Sequence, residues 1–517
     1  MKPAPIIFLV VLGAYALTAG GHLYSPDEEI LYRMTRALAT GPSLAIEPLG
    51  DFATRQGRDG RYYGQYGIGQ PLLAVPFYWA GRAVAGLAGR SQWNRLYGPS
   101  GTAPHVVGEE PTAAAYATRW ALSWFNILLG ALLAVLLYGV CVETTGQREA
   151  AGAAALLYAL GSLAWPHSRP FFTESCAAFF ILLAWWALLR ARRGRVVRWC
   201  AVAGAAAGYA ALVRNDSVLA YPGLAILLLG PAAWGARAEG RPAWQAWAAF
   251  CAPALVCGVI LLGMNVVLYG GPFESGYADQ PEGLAFTTPV LAGLYGLLFS
   301  IGKGLFFFSP ALALGFLGWR PLALAQTDQR RLMLWALAFV IAVPLVVHAK
   351  WQNWSGGWCW GPRHIFLIQP FLAIPIAAWL ARPWGPPTRV ILLVALIVGG
   401  TVQLLGASQD FIRFYRDHFR RSPHTFFVVY DDYDRMYWES FFQLYSRPEP
   451  DPRIPLQPVA LYPPAPTQDS LYFPQRSVWA AYPRMIREEG IDNFWVRLAG
   501  LGARPRASDA PETRIQP

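Results

Sequence analysis

"PAPIIFLVVLGAYALTAGGHLYSPDEEILYRMTRALATG", residues 3–41, holds the turn on which the fold depends. Pro3 to Ala19 is apolar and close to the roughly 17 to 25 residues of a membrane-spanning helix. Lys2 precedes it as in a signal peptide, but no small-x-small cleavage pattern follows, so the run reads as an uncleaved first span. After it stand three consecutive acids, Asp27, Glu28 and Glu29. Ser25 can cap a helix, Pro26 suits its first position, and Glu28, three residues after the serine, completes a capping box. Ile30, Leu31, Met34 and Leu38 then share one face, until Gly41 and Pro42 end an amphipathic helix suited to a membrane surface. Capping accounts for Glu28 and leaves Asp27 available for chemistry.

The rest of the chain extends this pattern. Its 517 residues are 55% hydrophobic and only 14% charged, and they include 22 Trp, which excludes an ordinary soluble enzyme. The expected class is an all-α polytopic membrane protein of about eleven transmembrane helices. Beyond the first span, apolar runs fall at 116–142, 150–166, 175–190, 199–213, 217–234, 245–268, 304–319, 332–349, 364–381 and 389–407. The segment 70–89 is ambiguous: Pro71, Pro76 and Arg82 favour a half-buried surface helix, and a span there would invert everything after it.

The net charge of +11 resides in arginines clustered in short loops, notably the run Arg190 to Arg198, which is a membrane-orientation pattern and excludes nucleic acid as partner. With a cytoplasmic N-terminus, Arg148, Arg237, Arg241, Arg320, Arg330, Arg331, Arg382 and Arg389 also lie inside, giving a bias of roughly threefold. The chain is therefore expected in a plasma or inner membrane. Its first outer loop, about residues 20–115, the aromatic loop near 355 and an extracytoplasmic C-terminus then lie outside.

The domain reading is a transmembrane unit over 1–407 and a Pro- and aromatic-rich region over 408–517. In the latter, "RPEPDPRIPLQP" (447–458) and "YPPAPTQD" (462–469) read as extended linkers, and 419–445 as short packed elements. Six scattered cysteines suggest no zinc site or disulfide framework.

Ionisable residues recur at the outer ends of spans, where they are expensive and usually functional. They are Asp27; His167, Arg169 and Glu174 in "WPHSRPFFTES"; Arg214 and Asp216 in "LVRNDS"; Lys303; and Arg363 with His364 in "WSGGWCWGPRH". Carboxylates and cations on one face suit transfer from a phosphate-linked donor. One carboxylate removes a proton from the acceptor, and cations take up charge on the departing phosphate. Asp27, Glu28 and Glu174 are the expected catalytic acids, and Arg169, Arg214, Lys303 and Arg363 the phosphate ligands. Tyr66, Gln70, His167 and Trp358 are the expected acceptor or sugar contacts. Trp351, Trp354, Trp358 and Trp360 together read as an interfacial aromatic belt. A divalent cation, Mg2+ or Mn2+, would fall on Asp27 and Glu174.

The order of an apolar span, "SPDEEILYRMTRAL", "GRYYGQYGIGQPLLAVPFY" and "SRPFFTES" resembles the GT-C superfamily of integral-membrane glycosyltransferases, which includes protein O-mannosyltransferases and lipid A aminoarabinose transferases. "NVVLYGGPFESGY", "GLYGLLFSIGKGLFFFSP" and "WSGGWCWGPRH" resemble a bacterial branch of that group. The resemblance implies a polyprenyl-phosphate sugar donor, inversion at the anomeric carbon, and a lipid, glycan or protein acceptor. It places the first acidic motif on Asp27 with Glu28 and the second on Glu174. Gln70 and Pro71 stand where some relatives have a basic residue before proline, which leaves phosphate binding to the other cations. A transporter or flippase of lipid-linked glycans would use the same cations without bond cleavage, and a non-catalytic assembly protein would not depend on Asp27.

Overall fold

The computed structural model describes residues 3–41, 43–49, 52–277, 286–324, 328–414 and 478–500. The three stretches at 419–445, 447–458 and 462–469 lie outside the described residues.

Among the described residues the fold is helical, with one two-stranded antiparallel sheet of β1 (Thr54–Gln56) and β2 (Tyr62–Gly64). Eight helical segments are long and apolar enough to cross a membrane: Ala113–Thr145, Glu174–Ala191, Val196–Val213, Asn215–Ala238, Trp244–Tyr269, Arg330–Lys350, Arg363–Leu380 and Pro386–Ala407. Each coincides, to within a few residues, with one of the apolar runs above. Three expected spans take another form. The first is a helix α1 of 15 residues, Pro3–Leu17, and the third is α7, 14 residues at Arg148–Gly161. The stretch 304–319 breaks into a short helix Leu305–Phe308, a 3-10 turn from Pro310 and a helix from Gly315. Pro310 has no N–H to continue the ladder, so the chain re-enters helix on the far side of it.

The first loop folds back on the bundle as α2 (Pro26–Thr40), α3 (Gly69–Val84) and α4 (Arg90–Tyr97). The ambiguous 70–89 segment is α3, only 16 residues long, ending in a 3-10 turn. The loop has its own core, in which Ile30, Leu31, Met34 and Ala74 pack with Phe125, Phe171, Cys176 and Val213. That core joins it to α6 (Phe125–Thr145), α8 (Glu174–Ala191) and α9 (Val196–Val213). Close backbone approach binds the bundle where burial of apolar surface supplies little drive. A Cβ at Gly204 of α9 would lie 1.9 Å from the Phe250 carbonyl oxygen, so only glycine lets the helix Trp244–Tyr269 seat there.

Residues 478–500 return to the start of the chain. Tyr482 and Met485 join the main core, Phe494 N–H donates to Ala19 O at 2.8 Å, and Asn493 Nδ2 donates to Leu17 O at 2.7 Å.

Candidate active site

The acids of α2 have three different fates because successive helical residues point about 100° apart. Glu28 is buried and reaches back to the helix entry. Its Oε1 accepts from Ser25 N at 3.0 Å and Tyr24 N at 3.2 Å, and its Oε2 from Phe171 N at 2.7 Å. Burial pushes its carboxyl up to about 8 against the pull of these donors. Glu29 is buried between Arg119 and Arg33. Burial alone would raise its carboxyl, but the two guanidiniums hold it below the usual range.

Asp27 alone stays partly open, with its side chain 15% exposed. Tyr66 donates its phenol to Oδ1, and Arg363 Nη1 stands 3.6 Å from Oδ2. Arg363 in turn lies over the Phe172 ring at 4.9 Å.

A second set of charges lies where the start of α8 meets the end of α9. Arg214 donates to Glu174 Oε1 at 2.7 Å and grips Asp216 with two bonds of 2.9 and 2.7 Å. His348 Nε2 stands 3.3 Å from Asp216 Oδ2, while its Nδ1 faces Pro344 O at 2.8 Å. His348 stacks on His364 at 5.6 Å and 9°, and Trp351 lies 4.6 Å from the same His364 ring. The two sets adjoin, because Arg363 and His364 are neighbours in the chain and Tyr277 feels Arg214, Asp216, Asp27 and Glu174 together. Tyr277 also meets Tyr66 edge to face at 6.5 Å.

The turn that carries Glu174 is clamped from three elements. Glu28 takes the Phe171 N–H, Gln70 Nε2 donates to the Phe171 carbonyl at 2.8 Å, and Asn126 Nδ2 donates to Pro170 O and Phe172 O at 2.6 and 2.8 Å. Glu28 and Gln70, named from sequence as catalytic acid and ligand contact, thus hold this turn. His167 supports it from behind, with Nε2 against Trp360 O at 2.8 Å and its ring stacked on Phe366.

Of the four expected phosphate ligands, Arg214 and Arg363 come together with Asp27 and Glu174. Lys303 and Arg169 are engaged elsewhere. Lys303 Nζ donates to Gly357 O at 2.7 Å and Cys359 O at 2.8 Å, pinning the loop before Arg363. Arg169 donates to Gln409 O and to the backbone and carboxylate of Asp492, tying its turn to the C-terminal segment. The aromatic belt is corrected: Trp354, Trp358 and Trp360 are buried, Trp354 against Gly296 and Trp360 against Phe308, Trp479 and Tyr482. The glycines around them let the loop fold inward, since Gly356, Gly357 and Gly361 all have φ between 66° and 77°.

Sequence reasoning missed His348 and Tyr277. His348 ends the run 332–349 as a lone polar residue, the one signal that could have marked it. Among the described residues no group of three or more His, Cys, Asp or Glu is arranged to hold a metal ion, and the carboxylates of Asp27 and Glu174 each face a guanidinium. Asp27 and Glu174, each turned to a guanidinium, do not form a cation cage.

Residues 112–260 match the family model described as dolichyl-phosphate-mannose-protein mannosyltransferase. No curated protein sequence matches the chain. Among solved structures, the chain is similar to the apo oligosaccharyltransferase of Archaeoglobus fulgidus at 13% identity, over 89% of this chain and 61% of that one, with a TM-score of 0.46. ArnT from Cupriavidus metallidurans bound to undecaprenyl phosphate is 13% identical, over 85% of this chain and 74% of that one, with a TM-score of 0.49. The archaeal oligosaccharyltransferase AglB from Archaeoglobus fulgidus, in complex with an inhibitory peptide and a dolichol-phosphate, gives 12%, 89%, 61% and 0.47. This chain thus spans 61% of the length of the oligosaccharyltransferases it resembles.

Proposed function

We propose that this chain, whose residues 112–260 match the dolichyl-phosphate-mannose-protein mannosyltransferase family model, is a membrane glycosyltransferase that moves a sugar from a polyprenyl-phosphate donor to an acceptor at the extracytoplasmic face. The observation that carries the reading is the juxtaposition of a half-open carboxylate, Asp27, with the Arg363 guanidinium and the Arg214–Glu174 pair.

In the proposed step the acceptor hydroxyl gives its proton to Asp27 as its oxygen bonds to the anomeric carbon. The bond from that carbon to the phosphate oxygen breaks, and its electron pair leaves with the polyprenyl phosphate. Attack from the face opposite the phosphate inverts the anomeric centre. Tyr66, hydrogen-bonded to Asp27 Oδ1, fixes the carboxylate so that Oδ2 faces the acceptor. Arg363, 3.6 Å from Oδ2, places beside the carboxylate a guanidinium whose fork matches phosphate oxygens. Arg214 is shared between Glu174 and Asp216 and adds positive potential while orienting Glu174.

The test is release of free polyprenyl phosphate by the detergent-purified protein, given a panel of polyprenyl-phosphate sugars and a crude cell-envelope acceptor. Asp27→Asn is expected to lower acceptor-dependent release by about 10²- to 10⁴-fold, the usual worth of a general base. Wild-type protein that binds these donors without ever cleaving them, with Asp27→Asn behaving identically, would move the chain to the flippase class.

A further inference from the structure

Beside the Arg214 pair lies a small, narrow cavity with room for about one water-sized group, its polar wall formed by Glu174, Arg214, Asp216, His348 and His364. Three buried polar atoms on this wall have no hydrogen-bond partner: Glu174 Oε2 and both ring nitrogens of His364, a residue only 7% exposed. Such atoms cost about 1 to 3 kcal/mol each when left unpaired, so an arrangement that leaves three together is built around something that fills it.

Their chemistry specifies the occupant. A carboxylate oxygen only accepts, whereas a neutral imidazole offers one N–H and one lone pair. One hydroxyl group serves two of the three, donating its hydrogen to Glu174 Oε2 and accepting from the N–H of one His364 nitrogen. An anion does not match, because Glu174 and Asp216 border the same space. An apolar group would leave all three atoms unsatisfied. The neighbours of His364 keep the ring in place: it stacks on His348, Trp351 leans on it at 48°, and its own edge abuts Gly356, where a Cβ would come within 3.3 Å of it. Arg363, on the adjacent residue, leads directly to Asp27.

We propose that His364 and Glu174 form a subsite that reads one hydroxyl of the donor's sugar, so that His364 determines which sugar is accepted. The inference rests on the glycosyltransferase reading, in that it takes the ligand to be a polyprenyl-phosphate sugar, but it concerns recognition and can be measured without turnover.

The experiment is equilibrium binding, in detergent and without acceptor, of bare polyprenyl phosphate and of polyprenyl-phosphate hexoses and pentoses that differ by one hydroxyl at a time. Wild type is expected to bind one hydroxyl pattern at least about tenfold more tightly than the analogue lacking that group, the loss expected from one unpaired buried hydrogen bond. His364→Ala is expected to bring that ratio close to one while still binding bare polyprenyl phosphate. His364→Asn, which keeps a donor and an acceptor, should restore part of it. Wild-type affinities within about threefold of one another across the panel would overturn the proposal, as would a preference that His364→Ala leaves intact; the cavity then holds only a structural water. Discrimination that His364→Ala erases, in a protein that never releases polyprenyl phosphate, would retain the subsite and remove the transferase reading.

Discussion

Arg119 and Arg214 each bind two carboxylates, yet one network is closed and the other left open. Arg119 is wholly buried and donates to Glu29 through Nε and Nη2 at 2.8 and 2.7 Å, to Glu109, and to Ala115 O at 3.0 Å. Arg33 takes the remaining side of Glu29 and places its other N–H groups on the carbonyls of Glu47, Pro48 and Val107. Both Glu29 oxygens are used. Arg214 also fills its donors, but Glu174 Oε2 across from it is left without a partner, and so is the His364 ring. Two ion networks of similar composition, one on each side of α2 and the turn at 170, therefore do different work. The complete one holds the first loop to the bundle, and the incomplete one presents unpaired atoms to a ligand.

The contrast can be broken by removing each arginine. Arg119→Met leaves the buried Glu29 with Arg33 alone and Glu109 with Arg36, and should cost about 3 kcal/mol, seen as a large fall in the denaturation midpoint in detergent. Arg214→Met should lower transfer about ten- to a hundredfold, measured as polyprenyl phosphate release, with a clearly smaller change in midpoint, because Arg214 is one-fifth exposed and its carboxylates can recruit water. Equal destabilisation by the two substitutions would end the distinction.

A pH effect sharpens it. Glu28 has its folded pKa raised to about 8 by burial, above its unfolded value near 4.5. The folded state therefore holds an extra proton between these values, and the associated stability, full below about pH 4.5, is lost as pH rises toward 8. Glu28→Gln should flatten that slope in denaturant titrations at several pH values.

Much of this was legible from sequence where the signal is local. The reach of Glu28 back to Ser25 follows from a three-residue spacing, and the long apolar runs appear as helices because length and hydropathy act on each run by itself. What was not legible depends on contacts across the chain. Nothing near Glu29 announces Arg119, 90 residues later, nor does "LVRNDS" announce His348, 132 residues beyond Asp216. Lys303 looked like a phosphate ligand because glycines flank it. Its ammonium instead meets carbonyl oxygens that a left-handed glycine turn brings inward, a geometry no spacing rule encodes. The tryptophans of 354–360 were misjudged for the same reason, since composition cannot tell an interfacial ring from one folded under the loop.

The end of α1 carries a consequence for biosynthesis. A helix leaves its last four carbonyls without intrahelical partners, and here those of Ala16 and Leu17 accept from Trp495 Nε1 and Asn493 Nδ2, donors almost 480 residues downstream. Helix α1 is thus capped only once residues far along the chain have been made. Until Asn493 and Trp495 are in place, α1 has an unfinished end, and Asp27, ten residues beyond it, stands on a loop without that anchor. A nascent chain stalled before residue 493 would lack both bonds, so the packing of the first loop waits on a segment made much later.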